Sequence, residues 1–294
     1  MPELPEVETV RLGLAPVIVG NSFRCVEQRR KDLRFPLPQR FAQRLEGRTI
    51  DGLDRRAKYL LARLDDGVVL VMHLGMTGRF RIAKPNGAAV KPDDVAKPKR
   101  RIPKHEHIVF HFADGAAVRY SDTRRFGFMD LIPGAELENH ALFKRLGVEP
   151  LSEDLTPEWL ALRLKGKTAS IKAALLDQRL IAGLGNIYVC EALFRARISP
   201  VRKAGTLATE TGKPTKETEA LVESIKTVLQ QALGAGGSSL RDYARTDGRR
   251  GRFQYSFRVY RRGEKPCRSK GCRGIVRRIV QSGRSTFYCS NCQR

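Results

Sequence analysis

Two short-spaced cysteine pairs stand in the final thirty residues of the chain: Cys267 with Cys272, and Cys289 with Cys292. A tetrahedral Zn²⁺ ion takes four thiolates, and each pair can supply two of them from one tight turn. The sixteen residues between the pairs contain apolar and β-branched runs on either side of Ser282-Gly283, which predicts a β-hairpin folded over the metal. Two disulfides are the alternative. Because the sequence shows no signal-peptide pattern, we expect a reducing compartment and one structural zinc ion.

The balance of charge points to a polyanionic partner. Lysine and arginine number 55 and aspartate and glutamate 31, so the formal net charge is +24. A charge of this size attracts phosphate backbones and makes association fast and salt-dependent. A membrane surface is the weaker alternative, because no long apolar span or basic amphipathic helix is evident. The composition therefore predicts a nucleic-acid-binding protein without membrane association.

The pattern of apolar residues changes along the chain and predicts an α+β protein. From 17 to 131 short apolar runs alternate with Asp-Gly turns, as at 59–73 and 108–120, which is typical of an antiparallel β-sandwich. After Pro133 helical patterns follow at 157–164, 170–180, 187–196 and 218–233. We therefore expect a β-sandwich domain at 1–133 with a leading helix, a helical domain at 134–262, and a zinc finger at 263–294.

The first residues read as the start of a helix. Pro5 suits a first helical turn, and acidic residues follow it, as the helix dipole favours. An apolar stripe follows at helical spacing and consists of Val7, Val10 and Leu14. We expect Gly13 and Pro16 to end the helix.

A second interpretation of this stretch is chemical. Removal of Met1 is expected before a small residue, and it would leave Pro2 as a secondary amine beside Glu3 and Glu6. An α-amine has a lower reference pKa than lysine, so it can be partly neutral and attack an electrophilic carbon, with a carboxylic acid as proton donor. On the residues alone, an ordinary helix start is the simpler interpretation.

Several further residues are candidates for contact with a ligand. Lys58 stands at the start of a predicted strand, in line with the apolar face of that strand. Its side chain points either into a cleft or into solvent. Met76 and Phe126 lie in glycine-containing turns, and Phe126 follows two arginines. Apolar side chains flanked by arginine suit insertion into a base stack, although loop packing explains each one alone. The glycine-rich turn at 183–188 ends at a predicted helix start, where backbone N–H groups can hold a phosphate.

Six segments of the chain, taken in order, resemble the formamidopyrimidine-DNA glycosylases, bacterial repair enzymes for oxidised purines. They are PELPEVE at 2–8, RRAKYL at 55–60, HLGM at 73–76, RRFG at 124–127, GLGNIY at 183–188 and TFYC at 286–289. The resemblance covers nearly the whole chain. It implies a bifunctional glycosylase and abasic-site lyase that flips the damaged base out of duplex DNA and cleaves the strand by β,δ-elimination.

The resemblance also implies roles for single residues. Pro2 would attack C1′ of the damaged nucleoside, Glu3 would act as the acid, and Glu6 would support the site. Lys58 would contact DNA and aid elimination, and Arg284 would serve the final elimination. The implied DNA contacts are phosphate contacts at His105, Arg124, Lys167 and Asn186, and gap-filling side chains at Met76, Arg124 and Phe126. A loop near 238–257 would cover the extruded base.

The resemblance further implies a monomer that acts on double-stranded DNA with oxidised bases or abasic sites, in the bacterial cytoplasm at the nucleoid. Two features depart from the family pattern. Four residues separate Cys267 from Cys272 where two are usual, and the basic stretch at 84–104, which directly precedes His105, is longer than usual.

Two other functions compete with this one. A related glycosylase of the endonuclease VIII type prefers oxidised pyrimidines, and Leu4 and the covering loop favour purines. The second competing function is that of a zinc-containing protein that binds damaged DNA without catalysis. The joint presence of Pro2, Glu3, Lys58 and Arg284 argues against it.

Overall fold

A computed structural model describes residues 2–83, 104–240 and 244–294. Met1, whose removal the sequence predicts, and 84–103, most of the basic loop, lie outside the described residues. The chain divides into two compact units, Met1–Phe143 with Gly236–Gly251, and Lys144–Ala235 with Arg252–Arg294. In the described part of the chain, none of the helices has the length and apolar character needed to cross a lipid bilayer.

The first unit is a β-sandwich with a leading helix, as predicted. Its helices are α1 (Leu4–Ile18) and α2 (Phe41–Leu45). Its strands are β1 (Phe23–Gln28), β2 (Ile50–Arg56), β3 (Tyr59–Leu64), β4 (Val68–His73), β5 (Gly78–Ala83), β6 (Glu106–Phe112), β7 (Ala117–Asp122) and β8 (Phe128–Pro133). Among the described residues they form two four-stranded antiparallel sheets, in the orders β1-β6-β7-β5 and β2-β3-β4-β8.

One apolar core joins the two sheets and α1. The predicted stripe of α1 is fully buried in it, because 3.6-residue spacing places these side chains on one helix face. Strand β3 contributes every second side chain to the same core, from Leu60 to Leu64, as a two-residue period requires. The strand and sandwich predictions are therefore confirmed.

The predicted end of α1 is wrong. The helix continues through Gly13 and Pro16 and ends at Ile18. Pro16 lies in the last turn, where it removes one backbone hydrogen bond of the helix but is followed by only two further helical residues. A Cβ on Gly13 would lie 2.2 Å from the side-chain oxygen of Thr246. Gly13 therefore allows a close approach of another segment to the helix.

The second unit begins with helices near the predicted positions: α3 (Pro157–Leu164), α4 (Ile171–Leu176), α5 (Asn186–Arg195) and α6 (Lys216–Gly234). Hydroxyl side chains cap α3, α4 and α6, as helix N-termini favour. Helix α4 is shorter than predicted. Gln178 donates to the carbonyl of Leu184 at 2.8 Å and accepts from the N–H of Gly183 at 2.9 Å, so its side chain builds a turn in place of further helix.

The zinc hairpin closes the chain. Strands β9 (Val276–Gln281) and β10 (Arg284–Cys289) pair antiparallel. Ser282 and Gly283 join them with φ of 48° and 71°, the left-handed pair that a two-residue hairpin turn requires. The predicted hairpin is confirmed.

Candidate functional site

The start of α1 holds a buried group of polar residues. Pro2 is buried, and Glu3 and Glu6 are 4% and 1% exposed. The N–H of Glu3 donates to Glu6 Oε2 at 2.9 Å. Ser238 donates its N–H and its hydroxyl to Glu6 Oε1 at 2.7 and 3.0 Å. The Glu6 carboxylate therefore ties the first helical turn to a segment more than two hundred residues later in the chain.

Lys58 is buried in the same unit, with 8% of its surface exposed. It stands in the turn between β2 and β3, where Ala57 adopts a positive φ of 52°. Arg55 fixes this turn by donating to the carbonyl of Ala57 at 2.9 Å. The turn precedes the apolar strand but is not open to solvent, so the interpretation of Lys58 as a solvated lysine is wrong.

His73 lies at the end of β4, among aromatic rings. Its ring stacks on the ring of Phe128, with 5.3 Å between the ring centres, and is tilted against the ring of Tyr59, with 5.0 Å between the centres. Its Nδ1 accepts the N–H of Gly75 at 3.1 Å. Burial, with the nearby charges of Lys58 and Arg34, lowers the pKa of His73 to about 4. The ring is therefore neutral near pH 7, which leaves Nδ1 able to accept that bond.

Two turns of the first unit present the predicted gap-filling side chains. They are the Met76 turn, between β4 and β5, and the Arg124 turn, between β7 and β8. Met76 and Phe126 are 36% and 42% exposed, although both are large and apolar. Arg124 is exposed, and its guanidinium lies 4.6 Å from the centre of the Phe126 ring. A cation over an exposed aromatic face is attracted to it by roughly 0.5–1 kcal/mol, which favours this arrangement of the two side chains. Exposed apolar groups beside a cation suit contact with stacked bases and phosphate.

The remaining predicted phosphate contacts occupy different places. His105 is partly exposed just before β6, and Lys167 is exposed in the loop after α3. Asn186 is the first residue of α5, and its side-chain N–H donates to the carbonyl of Ser285 at 2.9 Å. Its amide therefore holds the zinc hairpin of its own unit.

Arg284 is exposed at the first position of β10. The two residues after it are fixed from inside the unit. Lys172 is fully buried and donates to the hydroxyl of Thr286 at 2.6 Å, and Asn186 holds the carbonyl of Ser285. The backbone that carries Arg284 is thereby anchored.

The four cysteines of the second unit form a site that fits zinc. All four are free thiols, and their sulfur atoms lie within 4.8 Å of one another. The Sγ atoms are 3.7 Å apart for Cys267 and Cys292, and 3.8 Å apart for Cys272 and Cys289. Tetrahedral zinc with Zn–S bonds of about 2.3 Å places its sulfur ligands roughly 3.8 Å apart. Disulfide sulfurs would lie at about 2.05 Å, so the disulfide alternative is wrong.

The wider first pair fits this site because its loop folds around its own sulfurs. Ser269 and Gly274 donate backbone N–H groups to the sulfurs of Cys267 and Cys272 at 3.4 and 3.2 Å. Gly271 adopts a φ of +76°. The two extra residues therefore form a turn, and the site takes one structural zinc ion.

Sequence reasoning missed the buried polar residues that hold these segments: Thr77, Asp122, Lys172, Glu191 and Ser238. Lys172 and Glu191 had a signal, because each is a lone charge inside an apolar helical run. Asp122 stands directly before the arginine turn. The partners of Ser238 and Glu191 are distant in sequence, and no local pattern shows them.

Known proteins resemble the chain over its whole length. Residues 1–129 match the formamidopyrimidine-DNA glycosylase N-terminal domain, 146–244 its H2TH domain, and 264–294 the zinc finger found in FPG and IleRS. Proteins named formamidopyrimidine-DNA glycosylase from Methylobacterium radiotolerans and Beijerinckia indica are each 58% identical over 294 residues. These alignments cover 100% of this chain, and 99% and 100% of the relatives.

Solved structures show the same fold. A mutant of Lactococcus lactis Fpg in complex with Fapy-dG-containing DNA is 35% identical, with a TM-score of 0.83 and full coverage of both chains. The Lactococcus lactis Fpg bound to DNA with an abasic site is 34% identical, with a TM-score of 0.83 and the same coverage. The wild-type Lactococcus lactis Fpg in complex with DNA containing an oxidised pyrimidine is 35% identical, with a TM-score of 0.82 and full coverage.

A β-sandwich with a leading helix, an H2TH region and a four-cysteine hairpin together define one class of zinc-finger DNA glycosylases. The chain belongs to the formamidopyrimidine-DNA glycosylase family.

Proposed function

We propose that the protein is a bifunctional DNA glycosylase and abasic-site lyase that removes oxidised purines, 8-oxoguanine and formamidopyrimidines, from duplex DNA in base excision repair. The observation that carries the proposal is the buried start of α1, where Pro2 precedes Glu3 and the carboxylate of Glu6 fixes the backbone of Glu3. A nucleophile and an acid on one rigid helix start are what attack on a sugar carbon requires.

The first chemical step joins the protein to the sugar. With Met1 removed, the nitrogen of Pro2 attacks C1′ as the bond to the base breaks. The base leaves with the bonding electrons and takes a proton from Glu3. Pro2 gives up its N–H proton, the C1′–O4′ bond of the sugar ring breaks, and O4′ takes a proton, so that Pro2 and C1′ are joined as an iminium. Glu6 keeps the helix start in place. The base must first leave the duplex stack, which costs a few kcal/mol. Met76, Arg124 and Phe126 offset that cost by filling the gap.

The second step breaks the strand. The iminium draws electrons and makes the C2′ proton acidic, so loss of this proton expels the 3′ phosphate. The conjugated iminium that results makes the C4′ proton acidic in turn, and its loss expels the 5′ phosphate. Lys58 aids this elimination from its buried turn, and Arg284 serves the final step from the zinc hairpin. His105 and Lys167 contact phosphates, and Asn186 contacts one through the amide N–H that does not bond Ser285. When bound, zinc stabilises the hairpin, because four thiolates leave no open position for water.

Borohydride trapping on duplex DNA with one 8-oxoguanine tests the proposal, because reduction of the iminium leaves a covalent complex. We expect the wild type to trap, and Pro2→Gly to trap on the order of 100-fold more slowly, since it loses the secondary amine. Pro5→Ala is the matched control, because it changes a proline of the same helix start and keeps Pro2. Trapping by Pro2→Gly at the wild-type rate would show that the nucleophile lies elsewhere.

Two further measurements separate the competing functions. Intact mass shows whether Met1 is removed, and a retained methionine blocks the amine and favours a protein that binds damaged DNA without catalysis. A substrate panel compares 8-oxoguanine with oxidised pyrimidines. Oxidised pyrimidines belong in the panel because the Lactococcus lactis Fpg was solved with DNA that contains one. Faster cleavage of pyrimidines would favour the endonuclease VIII type.

The proposed substrate is genomic DNA. The protein therefore works in the bacterial cytoplasm, at the nucleoid.

A further inference from the structure

Asp122 ends β7 and is fully buried, with 0% of its surface exposed. Three groups donate hydrogen bonds to its carboxylate. The Thr77 hydroxyl donates to Oδ1, and the Gly127 N–H and the Tyr120 hydroxyl donate to Oδ2 at 2.8 and 3.3 Å. Burial, with the nearby charge of Asp122, raises the pKa of Tyr120 well above its usual value, so Tyr120 keeps the proton that it donates. A buried carboxylate is tolerated when it is hydrogen-bonded in this way.

Thr77 connects Asp122 to both turns that carry the gap-filling side chains. It directly follows Met76. Its hydroxyl oxygen accepts the N–H of Arg124 at 2.9 Å while its proton goes to Asp122. Both hydrogen-bonding functions of one hydroxyl are therefore used. The Met76 turn is bonded to the start of the Arg124 turn through Thr77, and to its end through Asp122 and Gly127.

The two turns also touch through their backbones. Gly75 has a φ of +59°, and a Cβ at this position would lie 2.3 Å from the carbonyl carbon of Phe126. A Cβ on Gly127 would lie 2.7 Å from the carbonyl oxygen of His73, at the end of the strand that leads into the Met76 turn, and 2.0 Å from the hydroxyl oxygen of Tyr120. Side chains at these positions would push the turns apart, so the glycines are required for the contact.

The backbone of Asp122 extends the same connection to a third segment. Its N–H donates to the carbonyl of His105 at 3.0 Å, and its own carbonyl accepts from Nε2 of His107 at 2.8 Å. His107 is buried. His105, the proposed phosphate contact directly before β6, is therefore held by the residue that holds the two turns.

We propose that Thr77 and Asp122 are positioning residues that lock Met76, Arg124 and Phe126 into one preformed wedge for the gap left by the extruded base. This inference rests on the proposed function. Side chains that enter a base stack act best when their geometry is set before binding, because ordering them on binding costs affinity. Thr77 and Asp122 are buried, so they act through the exposed side chains.

If Thr77 and Asp122 hold the wedge in place, loss of their hydrogen bonds should slow only the steps that open the duplex. Excision of 8-oxoguanine from a duplex requires base extrusion, whereas borohydride trapping at an abasic site in a single strand requires only the chemistry. We expect Thr77→Val, which keeps the shape and removes the hydroxyl, to slow single-turnover excision roughly tenfold. Trapping on the single strand should change by less than about twofold. Fluorescence of 2-aminopurine beside the lesion should rise more slowly in the variant, because unstacking is impaired.

Thr77→Ser is the matched control, because it keeps the hydroxyl and should retain excision within about threefold of the wild type. A double-mutant cycle with Phe126→Ala tests whether Thr77 acts through the wedge. In the Phe126→Ala background the effect of Thr77→Val should shrink, because coupled residues are not additive.

Three outcomes would overturn the lock. They are wild-type excision by Thr77→Val, an equal loss on duplex and single strand, and independent effects in the cycle. A melting temperature of Thr77→Val within a few degrees of the wild type, together with normal single-strand trapping, shows that the variant is folded. Failure of the proposed function would appear in the wild type itself, as absence of any trapped product, and would remove the wedge and its lock together.

Discussion

Two buried glutamates, one in each unit, hold backbone segments in different ways. Glu191 is 3% exposed, and its carboxylate accepts the N–H groups of Arg258, Val259 and Tyr260 at 2.8, 3.0 and 2.7 Å. Glu6 is 1% exposed and divides its oxygens between Glu3, in its own helix start, and the distant Ser238. Both carboxylates replace water for backbone donors that burial would otherwise leave unsatisfied.

The difference lies in what each carboxylate connects. Glu191 binds three successive N–H groups of one short segment that leads towards the zinc hairpin, so it fixes a single backbone conformation. Glu6 joins two segments, and one of its donors is a side-chain hydroxyl. Burial raises the pKa of Glu191, and the three N–H donors work against that rise. Glu191 is therefore a structural anchor, while Glu6 couples the proposed catalytic helix start to a remote loop.

Removal of the Glu191 carboxylate should have the largest effect on stability. Glu191→Ala leaves three N–H groups without their acceptor, the one of Val259 buried and those of Arg258 and Tyr260 partly buried, and we expect the free energy of unfolding to fall by about 3 kcal/mol. Chemical denaturation measures this change. Glu223→Ala is the control, because Glu223 is exposed on α6 of the same unit and should cost less than about 0.5 kcal/mol. Equal effects of the two variants would contradict the anchor.

Sequence reasoning reached Glu6 and missed Glu191 for a physical reason. Glu6 stands at the third position of α1, where a carboxylate bonds the backbone at the helix start, so a local pattern indicates it. The donors to Glu191 lie 67 to 69 residues away in sequence. Their position depends on how the chain returns to α5, and spacing along the chain does not show this.

The same distinction runs through the rest of the molecule. The sandwich strands, the helix positions and the zinc hairpin were predictable, because alternation, helical spacing and cysteine pairs are local signals. The bonds of Thr77 to Asp122 and of Lys172 to Thr286 join residues 45 and 114 positions apart. The domain boundaries and the roles of the site residues stay predictions.

Replacement of Glu6 should have an intermediate effect. Glu6→Gln keeps one carbonyl oxygen but turns an amide N–H₂ towards a backbone donor, so we expect a loss of about 1 to 2 kcal/mol in stability. Excision of 8-oxoguanine should also slow, and by more than the smaller fraction of folded enzyme explains. The reason is that the helix start that carries Pro2 loses its anchor. Ser238→Ala keeps the backbone N–H and removes one hydroxyl donor, and it should show a smaller change in both measurements. A larger change in Ser238→Ala than in Glu6→Gln would place the coupling elsewhere.

His73 is a third acceptor of a backbone N–H, and it differs from both glutamates because it accepts as a neutral ring. Its pKa of about 4 in the folded protein lies below the reference value of about 6.5 for an unfolded chain. Between these values the unfolded state binds more protons, so stability falls as the pH falls from 6.5 towards 4. From pH 7 to pH 5.5 the loss should be about 1 kcal/mol.

His73→Asn isolates this contribution, because an asparagine oxygen can accept the Gly75 N–H and does not titrate in this range. Urea denaturation of both proteins at pH 7 and pH 5.5 gives the difference in pH dependence, and the other titrating groups cancel between them. We expect the wild type to lose about 1 kcal/mol more than His73→Asn over this interval. Parallel pH profiles would show that protonation of His73 does not destabilise the folded protein.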